Sequence, residues 1–373
     1  MNVGIPVEVS KGETRVAATP ETVKKLCALG LDVLVQRDAG RLSHFTDAAF
    51  QHAGAKVVDN ERALAADIVL KVRRPEPEEV ARMKNGAMLL SMMALCSHED
   101  ILDILAARGV DTFALEMIPR ISRAQAMDVL SSQSNIAGYR AVLEAAYLYG
   151  RFFPMMMTSA GSAKPTRLVV LGAGVAGLQA IATARRLGAQ VSAYDVRPEV
   201  KEQIMSLGAK VIELDLGESG SGSGGYARQL SGEAQARQQH LLTEELKKAD
   251  VIISTALIPC RPAPVLITED AVKGMNEGSV IIDMAAASGG NCPLTEADRT
   301  VTRHGVTLCG NTNFPALMPG DASAFYARNL FNFLSLLITP SEGRLQVKDY
   351  LEDEITASAL ITHKGTVRFQ EKK

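Results

Sequence analysis

The sequence predicts an α/β protein of two doubly wound, parallel-sheet domains, separated by a cleft and joined by long helices. Three observations predict it. Along residues 1 to about 130, short apolar runs alternate with helical patterns, the rhythm of a parallel sheet covered on both faces. A second such rhythm opens at Arg167 with a strand, a glycine-rich turn, a helix and a second strand that ends on an acid. Two long helical stretches, 135–151 and 322–338, carry the chain between these patterns. The first domain is therefore placed at 1–134 plus 322–373, closed by the C-terminal segment, and the second at 135–321.

Asn2 to Ile5 reads as the opening strand. Thr19 reads as the cap of a helix with Pro20 at its first position and Gly30 at its end. Strands follow at Leu31–Val35, Ala65–Val72, Met88–Met92 and Val110–Leu115, with a helix over Ile101–Ala107. Residues 120–134 read as a polar connection rich in side-chain donors and acceptors. The helix from about Asn135 places Ile136, Tyr139, Leu143, Ala146 and Tyr147 on one face. Between Phe152 and Pro165 a β-hairpin is expected; its Met155-Met156-Met157 run reads first as core filler, with a subunit contact as the alternative. After the glycine turn, strands are expected at Lys210–Leu214, Val251–Thr255, Ser279–Met284 and Val306–Cys309. The glycine- and serine-rich stretch within Leu216–Gln239 is too long for a tight connection in one sheet and reads as a mobile lid. Asp321 is expected to cap the last long helix, and Leu345–Lys373 to complete the first domain's edge.

The chemistry concentrates in Arg167 to Asp195. Leu168 to Leu171 is a buried-strand run, and Gly172-Ala173-Gly174-Val175-Ala176-Gly177 follows at once. Gly172 permits the tight turn, Gly174 lets a pyrophosphate approach the backbone, and Gly177 lets helix and strand pack closely. The helix that opens at Val175 presents unpaired N–H groups and a positive dipole end to that pyrophosphate. Asp195 ends the second strand, where a carboxylate accepts from both ribose hydroxyls of NAD and repels the extra phosphate of NADP. Val196 and Arg197 follow it; Arg197 is the residue that would instead meet that phosphate. The first domain has no such turn.

Composition narrows the classes. The chain has 373 residues, net charge −2 and 22% charged residues, so nothing in it suggests a nucleic-acid surface or an acidic tail. Its five cysteines show no metal or redox spacing and read as buried thiols of a reducing compartment; no metal site is expected. No apolar run reaches about 18 residues, so no membrane insertion is expected.

IPVEVSKGETRVAATPETV, PRISRAQAMDVLSSQSNIAGYRA, VVLGAGVAGLQA, YDVRPEVKEQ, STALIPCRPAPVLIT and IIDMAAASGGNCPLT carry a resemblance that covers essentially the whole chain. It resembles the NAD(H)-binding component of proton-translocating transhydrogenases, a family related in fold to alanine dehydrogenase. The resemblance implies two Rossmann-like domains and direct hydride transfer from NADH here to NADP+ on a partner component. A membrane-spanning component would couple that step to proton movement. It also implies a homodimer, in keeping with the 152–157 stretch, and a cytoplasmic chain held peripherally at the inner membrane through its complex. Residue by residue, it implies that Arg120, Ile121 and Ser122 contact the cofactor. Asp128 and Ser131 would hold the nicotinamide carboxamide, and Gln125 would face the partner's nicotinamide. Gly225 and Tyr226 would close over the nucleotide, with Gln238 and Leu257 also in contact. Hydride passing between two nicotinamides needs no general acid or base, so the isolated chain is expected to turn over nothing.

Two rival functions remain: an alanine-dehydrogenase-like oxidoreductase, and an NAD(H)-sensing module without chemistry. The first needs a proton-transfer group beside the substrate carbon. Ala94 stands where the dehydrogenase pattern has a histidine, and Ala287 where it has an aspartate, although Lys71, a carboxylate binder there, is kept. His98 reads as a solvated helix cap.

Overall fold

The computed structural model describes all residues except 98–99, 215–230, 259, 342–343 and 370–373. The chain divides into two units, residues 1–133 with 315–373, and residues 134–314. In chain order the first unit contributes β1 (Asn2–Ile5), β2 (Asp32–Gln36), β3 (Lys56–Val58), β4 (Ile68–Leu70), β5 (Met88–Ser91) and β6 (Asp111–Ala114). The second contributes the hairpin β7 (Met156–Thr158) and β8 (Gly161–Ala163), then β9 (Arg167–Leu171), β10 (Gln190–Tyr194), β11 (Lys210–Val211), β12 (Val251–Ser254), β13 (Val280–Asp283), β14 (Thr300–Arg303) and β15 (Val306–Cys309). The chain then returns to the first unit with β16 (Ile338–Ser341), β17 (Arg344–Val347), β18 (Leu360–His363) and β19 (Thr366–Val367). The helices are α1 (Pro20–Ala28), α2 (Asp47–His52), α3 (Asn60–Leu64), α4 (Pro77–Arg82), α5 (Asp100–Arg108), α6 (Val129–Tyr149), α7 (Val175–Arg186), α8 (Lys201–Ser206), α9 (Gly232–Leu246), α10 (Glu269–Gly274), α11 (Pro319–Leu337) and α12 (Glu354–Ala359).

Each unit is built on one sheet. The first runs β19-β18-β6-β5-β4-β1-β2-β3 and the second β11-β10-β9-β12-β13-β15-β14. Pairing is parallel except where β18 joins β6, β19 joins β18, and β14 joins β15. Both sheets therefore contain the order 3-2-1-4-5-6 of a doubly wound dinucleotide fold. The turning point of that order lies between β1 and β4 in the first unit, and between β9 and β12 in the second.

The strands are apolar on both faces because helices cover both. In the second unit Leu168, Val170, Ile253 and Ile282 point into one core, and Val169, Leu171, Ile252 and Ile281 into the other. In the first, Ile68 and Leu70 face one core and Val69 the other. Each fully buried aliphatic side chain contributes about 1.5–3 kcal/mol. α1 starts at the expected cap, with a reciprocal Thr19–Thr22 capping box and Pro20 at its first position.

Several expectations are corrected. α6 begins at Val129, six residues before the expected start, because Asp128 caps it: the Asp128 carboxylate accepts from the Ser131 amide at 2.8 Å. Asp321 is not the cap of α11, which opens with Pro319 after Met318; Asp321 sits in its first turn. β3, β14, α2, α3 and α4 are not legible in the sequence, being short elements with weak periodicity. The expected hairpin forms, but Met155 and Met157 are 62% and 77% exposed, so the methionine run is not core filler. Of the cysteines, Cys292 and Cys309 are buried and free and Cys27 is partly buried and free. Cys96 and Cys260 are exposed, and neither is a free thiol. Most of the stretch expected to form a lid lies outside the described residues; residues 232–239 are the start of α9, capped by Ser231. Among the described residues no helix is long and apolar enough to cross a membrane.

Candidate functional site

β9 delivers the chain to the glycine turn at the turning point of the second sheet. Gly172 has φ +93°, a backbone state that costs glycine little. Its N–H donates to the Tyr194 carbonyl at 2.8 Å, and its own carbonyl accepts from Thr255 Oγ1 at 3.1 Å. A Cβ on Gly177 would lie 1.8 Å from the Gly172 carbonyl oxygen, so only glycine lets α7 start this close to the turn. Among the described residues, a Cβ on Gly174 would meet nothing within 4 Å, and the space beside this residue is open to that extent. Gly174 is also the N-cap of α7 and supplies no side-chain hydrogen bond to the first turn. Val175, the first helical residue, is 37% exposed. An uncapped helix start beside open space is what an anion needs.

Asp195 lies under this turn. One of its oxygens accepts from the Ala173 amide at 2.7 Å and from Arg197 Nη2 at 2.7 Å. The other accepts from the Arg197 amide at 2.9 Å and Arg197 Nε at 2.8 Å. The two side chains are only 5% and 9% exposed, and hydrogen bonding to Asp195 raises the Arg197 pKa. Asp195 thus holds the turn in place as well as ending the strand. Val196 is partly buried against the core on that face.

Of the flanking residues, Gln238 donates through Nε2 to the Tyr194 hydroxyl at 2.8 Å; both side chains are buried, and burial pushes the Tyr194 phenol up to about 12. Leu257 is 42% exposed, two residues after Thr255. Gly225 and Tyr226 lie outside the described residues. The structure also brings in residues that the sequence does not single out. The loop that carries Leu257 is tied from below by Asn291, which is fully buried. Asn291 Nδ2 donates to the carbonyls of Ala256 at 2.9 Å and Pro264 at 2.8 Å, and its Oδ1 accepts from Ser254 Oγ. Asp283, also fully buried, accepts from the Cys292 amide and from Thr295 Oγ1 at 2.8 Å, fixing the next loop. Gly138 allows α6 to lie against the Ala176 carbonyl, which a Cβ there would approach to 2.1 Å.

The remaining predicted residues belong to the first unit. A 3-10 turn over Ser122–Met127 leads into α6. Arg120, Ser122 and Gln125 are exposed, while Ile121 is partly buried against the core. Ser131 Oγ donates to Asp128 at 2.6 Å, which brings these two side chains together and leaves the serine oxygen's lone pairs to accept a further donor. The turn is held by Asn329 and Asn332, both donating to the Ala126 carbonyl, and by Arg123, which pairs with both oxygens of Asp353.

Lys71 is fully buried, with Glu79 at 2.7 Å and Glu8 at 3.5 Å. Burial opposes its charge, but the two carboxylates outweigh that and hold its pKa above the ordinary value. Arg15 is likewise held by Glu13, at 2.7 Å, and by Gln133. Ala94 is exposed with φ +52° and donates its amide to Glu116; Ala287 is exposed. His98 lies outside the described residues. Among the described residues no group of three or more His, Cys, Asp or Glu is placed to hold a metal.

The sequence pattern of the alanine dehydrogenase/PNT N-terminal domain matches residues 4–137, and that of the C-terminal domain matches residues 141–370. The chain belongs to the alanine dehydrogenase/PNT family. Among its relatives, the first segment of the NAD(P) transhydrogenase subunit alpha of Rhodospirillum rubrum is 47% identical over 98% of this chain and 97% of its own length. The NAD(P) transhydrogenase subunit alpha of Haemophilus influenzae is 45% identical over 98% of this chain and 71% of its own length. Of solved structures, a transhydrogenase from Sinorhizobium meliloti matches with a TM-score of 0.86 and 42% identity over 99% of both chains. An L-alanine dehydrogenase matches with a TM-score of 0.82 and 25% identity, over 99% of this chain and 97% of that one. The two-domain parallel α/β fold expected from the sequence is that of the alanine dehydrogenase/PNT family.

Proposed function

We propose that the chain is the NAD(H)-binding component of a proton-translocating transhydrogenase. In this reading hydride passes directly between a nicotinamide held here and NADP(H) held by a partner component, and a membrane-spanning component couples the step to proton movement. The observation that carries it is the uncapped start of α7 beside the open space at Gly174, in a chain 47% identical to a protein named for that subunit.

The pyrophosphate sits on the amides from Gly174 onward, with Gly172 and Gly177 shaping the turn. Asp195, Val196 and Arg197 meet the adenosine ribose, with Gln238 and Leu257 at the flanks and Gly225 and Tyr226 closing over the nucleotide. Arg120, Ile121 and Ser122 contact the cofactor. Asp128 and Ser131 orient the carboxamide: the serine oxygen accepts an amide N–H while its own proton is held by Asp128. Orientation is the whole contribution of such a site, because transfer needs the two reacting carbons about 3–3.5 Å apart. Gln125, exposed on its turn, is assigned to the partner side. The exposed Met155–Met157 hairpin supports a homodimer, which light scattering tests as twice 39.9 kDa. The complex places the chain peripherally at the cytoplasmic face of the inner membrane.

The relatives named alanine dehydrogenase make an oxidoreductase of that kind the second reading. Against it stand Ala94 and Ala287, which carry no titratable group, and Lys71, whose charge is matched internally. The test is to assay the chain alone with NAD(H) and alanine or pyruvate, then with an NADP(H)-loaded partner component. The proposal expects no turnover in the first case and hydride transfer in the second, slowed by Gln125→Asn with NADH affinity nearly unchanged. Alanine-dependent turnover lost on Lys71→Ala would overturn it.

A further inference from the structure

We propose that Arg197 is a built-in competitor for the ribose seat on Asp195, and that it thereby sets how sharply the second unit distinguishes NAD(H) from NADP(H). The inference rests on the reading of the glycine turn as an NAD(H) site.

A carboxylate offers about four lone-pair positions. On Asp195 all four are filled: by the amides of Ala173 and Arg197, and by Nε and Nη2 of the Arg197 guanidinium. The two amides are fixed by the turn itself. The two guanidinium bonds belong to a side chain that can swing away. A ribose with both hydroxyls free brings two O–H donors, and the places they take are the two that Arg197 fills. Binding the diol therefore exchanges one pair of donors for another and exposes a nearly buried guanidinium.

The same pairing bears on the phosphorylated ribose. A bare carboxylate repels a 2′-phosphate, but a carboxylate pinned to a guanidinium at 2.7 Å carries little net charge toward its surroundings. While Arg197 is in place, Asp195 is a blunted filter. Removing the guanidinium clears two acceptor positions for the diol and restores the charge that rejects the phosphate. Both effects move selectivity the same way.

The experiment is calorimetry on the full chain with ADP-ribose and ADP-ribose 2′-phosphate, which present the adenosine end without the nicotinamide. Arg197→Met keeps the packing stem and removes the charge; Arg197→Gln keeps one donor. The proposal predicts that Arg197→Met tightens ADP-ribose about tenfold and weakens the 2′-phosphate form, widening their affinity ratio by more than about tenfold. Arg197→Gln should widen it less, and decides by the same criterion should Arg197→Met fail to melt cooperatively. A ratio that is unchanged or narrower in the variants overturns the proposal, because Arg197 would then only splint Asp195 or itself receive the phosphate. Failure of the parent chain to bind ADP-ribose and NADH would instead remove the nucleotide-site reading, and this inference with it.

Discussion

The two sheets share one strand order and differ at the place where that order turns. In the second unit the turning point between β9 and β12 presents a glycine turn: Gly172 with positive φ, a helix start with no side-chain cap and, among the described residues, open space beside Gly174. In the first unit the corresponding region beyond β1 and β4 is filled by side chains. Glu8, Lys71 and Glu79 form a buried triad, and Tyr326 donates to the Lys71 carbonyl. Both sheets also use a glycine for a forced close approach. In β1, Gly4 lies under the Ala63 carbonyl, which a Cβ would approach to 1.8 Å; in α7, Gly177 does the same for the turn itself. One glycine lets a helix pack on a strand, and the other lets a helix start against the turn that precedes it. A doubly wound sheet offers a place for a ligand at its turning point; which side chains occupy that place decides whether one can enter.

The largest effect expected from breaking this comparison is on stability. Lys71→Met would leave Glu8 and Glu79 buried without their cation and should destabilise the protein by about 3–5 kcal/mol. NADH affinity of the folded variant should be unchanged, because Lys71 is not among the residues assigned to the cofactor and its charge is matched internally. Denaturant titration and calorimetry read the two quantities separately, and a lost NADH site in a folded Lys71→Met protein would break the comparison. Gly4→Ala and Gly177→Ala form a matched pair, each forcing a Cβ to 1.8 Å from a carbonyl oxygen. Each should cost about 3 kcal/mol, and only Gly177→Ala should also abolish binding.

A pH titration sharpens the picture of the filled turning point. Burial pushes the Glu13 carboxyl up, but the hydrogen bonds and charge of Arg15, with Arg73, outweigh it and hold the pKa at about 2 against an ordinary 4.5. The folded pKa is depressed, so this group's stabilisation is complete above about pH 4.5 and is lost as pH falls toward 2. It is worth about 3 kcal/mol. Glu21 is also held at about 2, by Arg328 and Lys25, but on the surface, where salt screens it. Acid unfolding at high salt should therefore keep its steep fall in the parent and flatten in Glu13→Gln. The smallest effect on the fold should come from Gly174→Ala. With no described residue within 4 Å of the new Cβ, the melting temperature should hold, while NADH binding weakens by about tenfold or more as the methyl enters the space assigned to the pyrophosphate.

What the sequence makes legible is local. Strand, glycine turn, helix and acid follow one another without a break from Arg167 to Asp195, and each has its own signature, so β9, the start of α7 and the end of β10 fall within a residue of expectation. The start of α6 is harder to see because Asp128 and Ser131 present themselves as ligand groups, whereas the structure also uses them as a helix cap. Asn291 and Thr255 are hidden for another reason. Their hydrogen bonds reach 37 and 83 residues back along the chain, and no periodicity encodes such a partner. The engagement of Asp195 with Arg197 spans only two residues, yet it depends on a rotamer that the strand-end pattern does not specify.

The most direct test of transfer from the glycine-turn site follows a labelled hydride. NADH carrying deuterium at the transferred position is incubated with NADP+ and the chain, with and without a partner component that binds NADP(H), and the product NADPH is weighed by mass spectrometry. No NADPH is expected from the chain alone. With the partner present, NADPH that retains the deuterium is expected, its formation slowed strongly by Gly174→Ala and by Asp128→Asn. Loss of the label to solvent, or NADPH formed by the chain without a partner, would contradict direct transfer from a nucleotide held at the glycine turn.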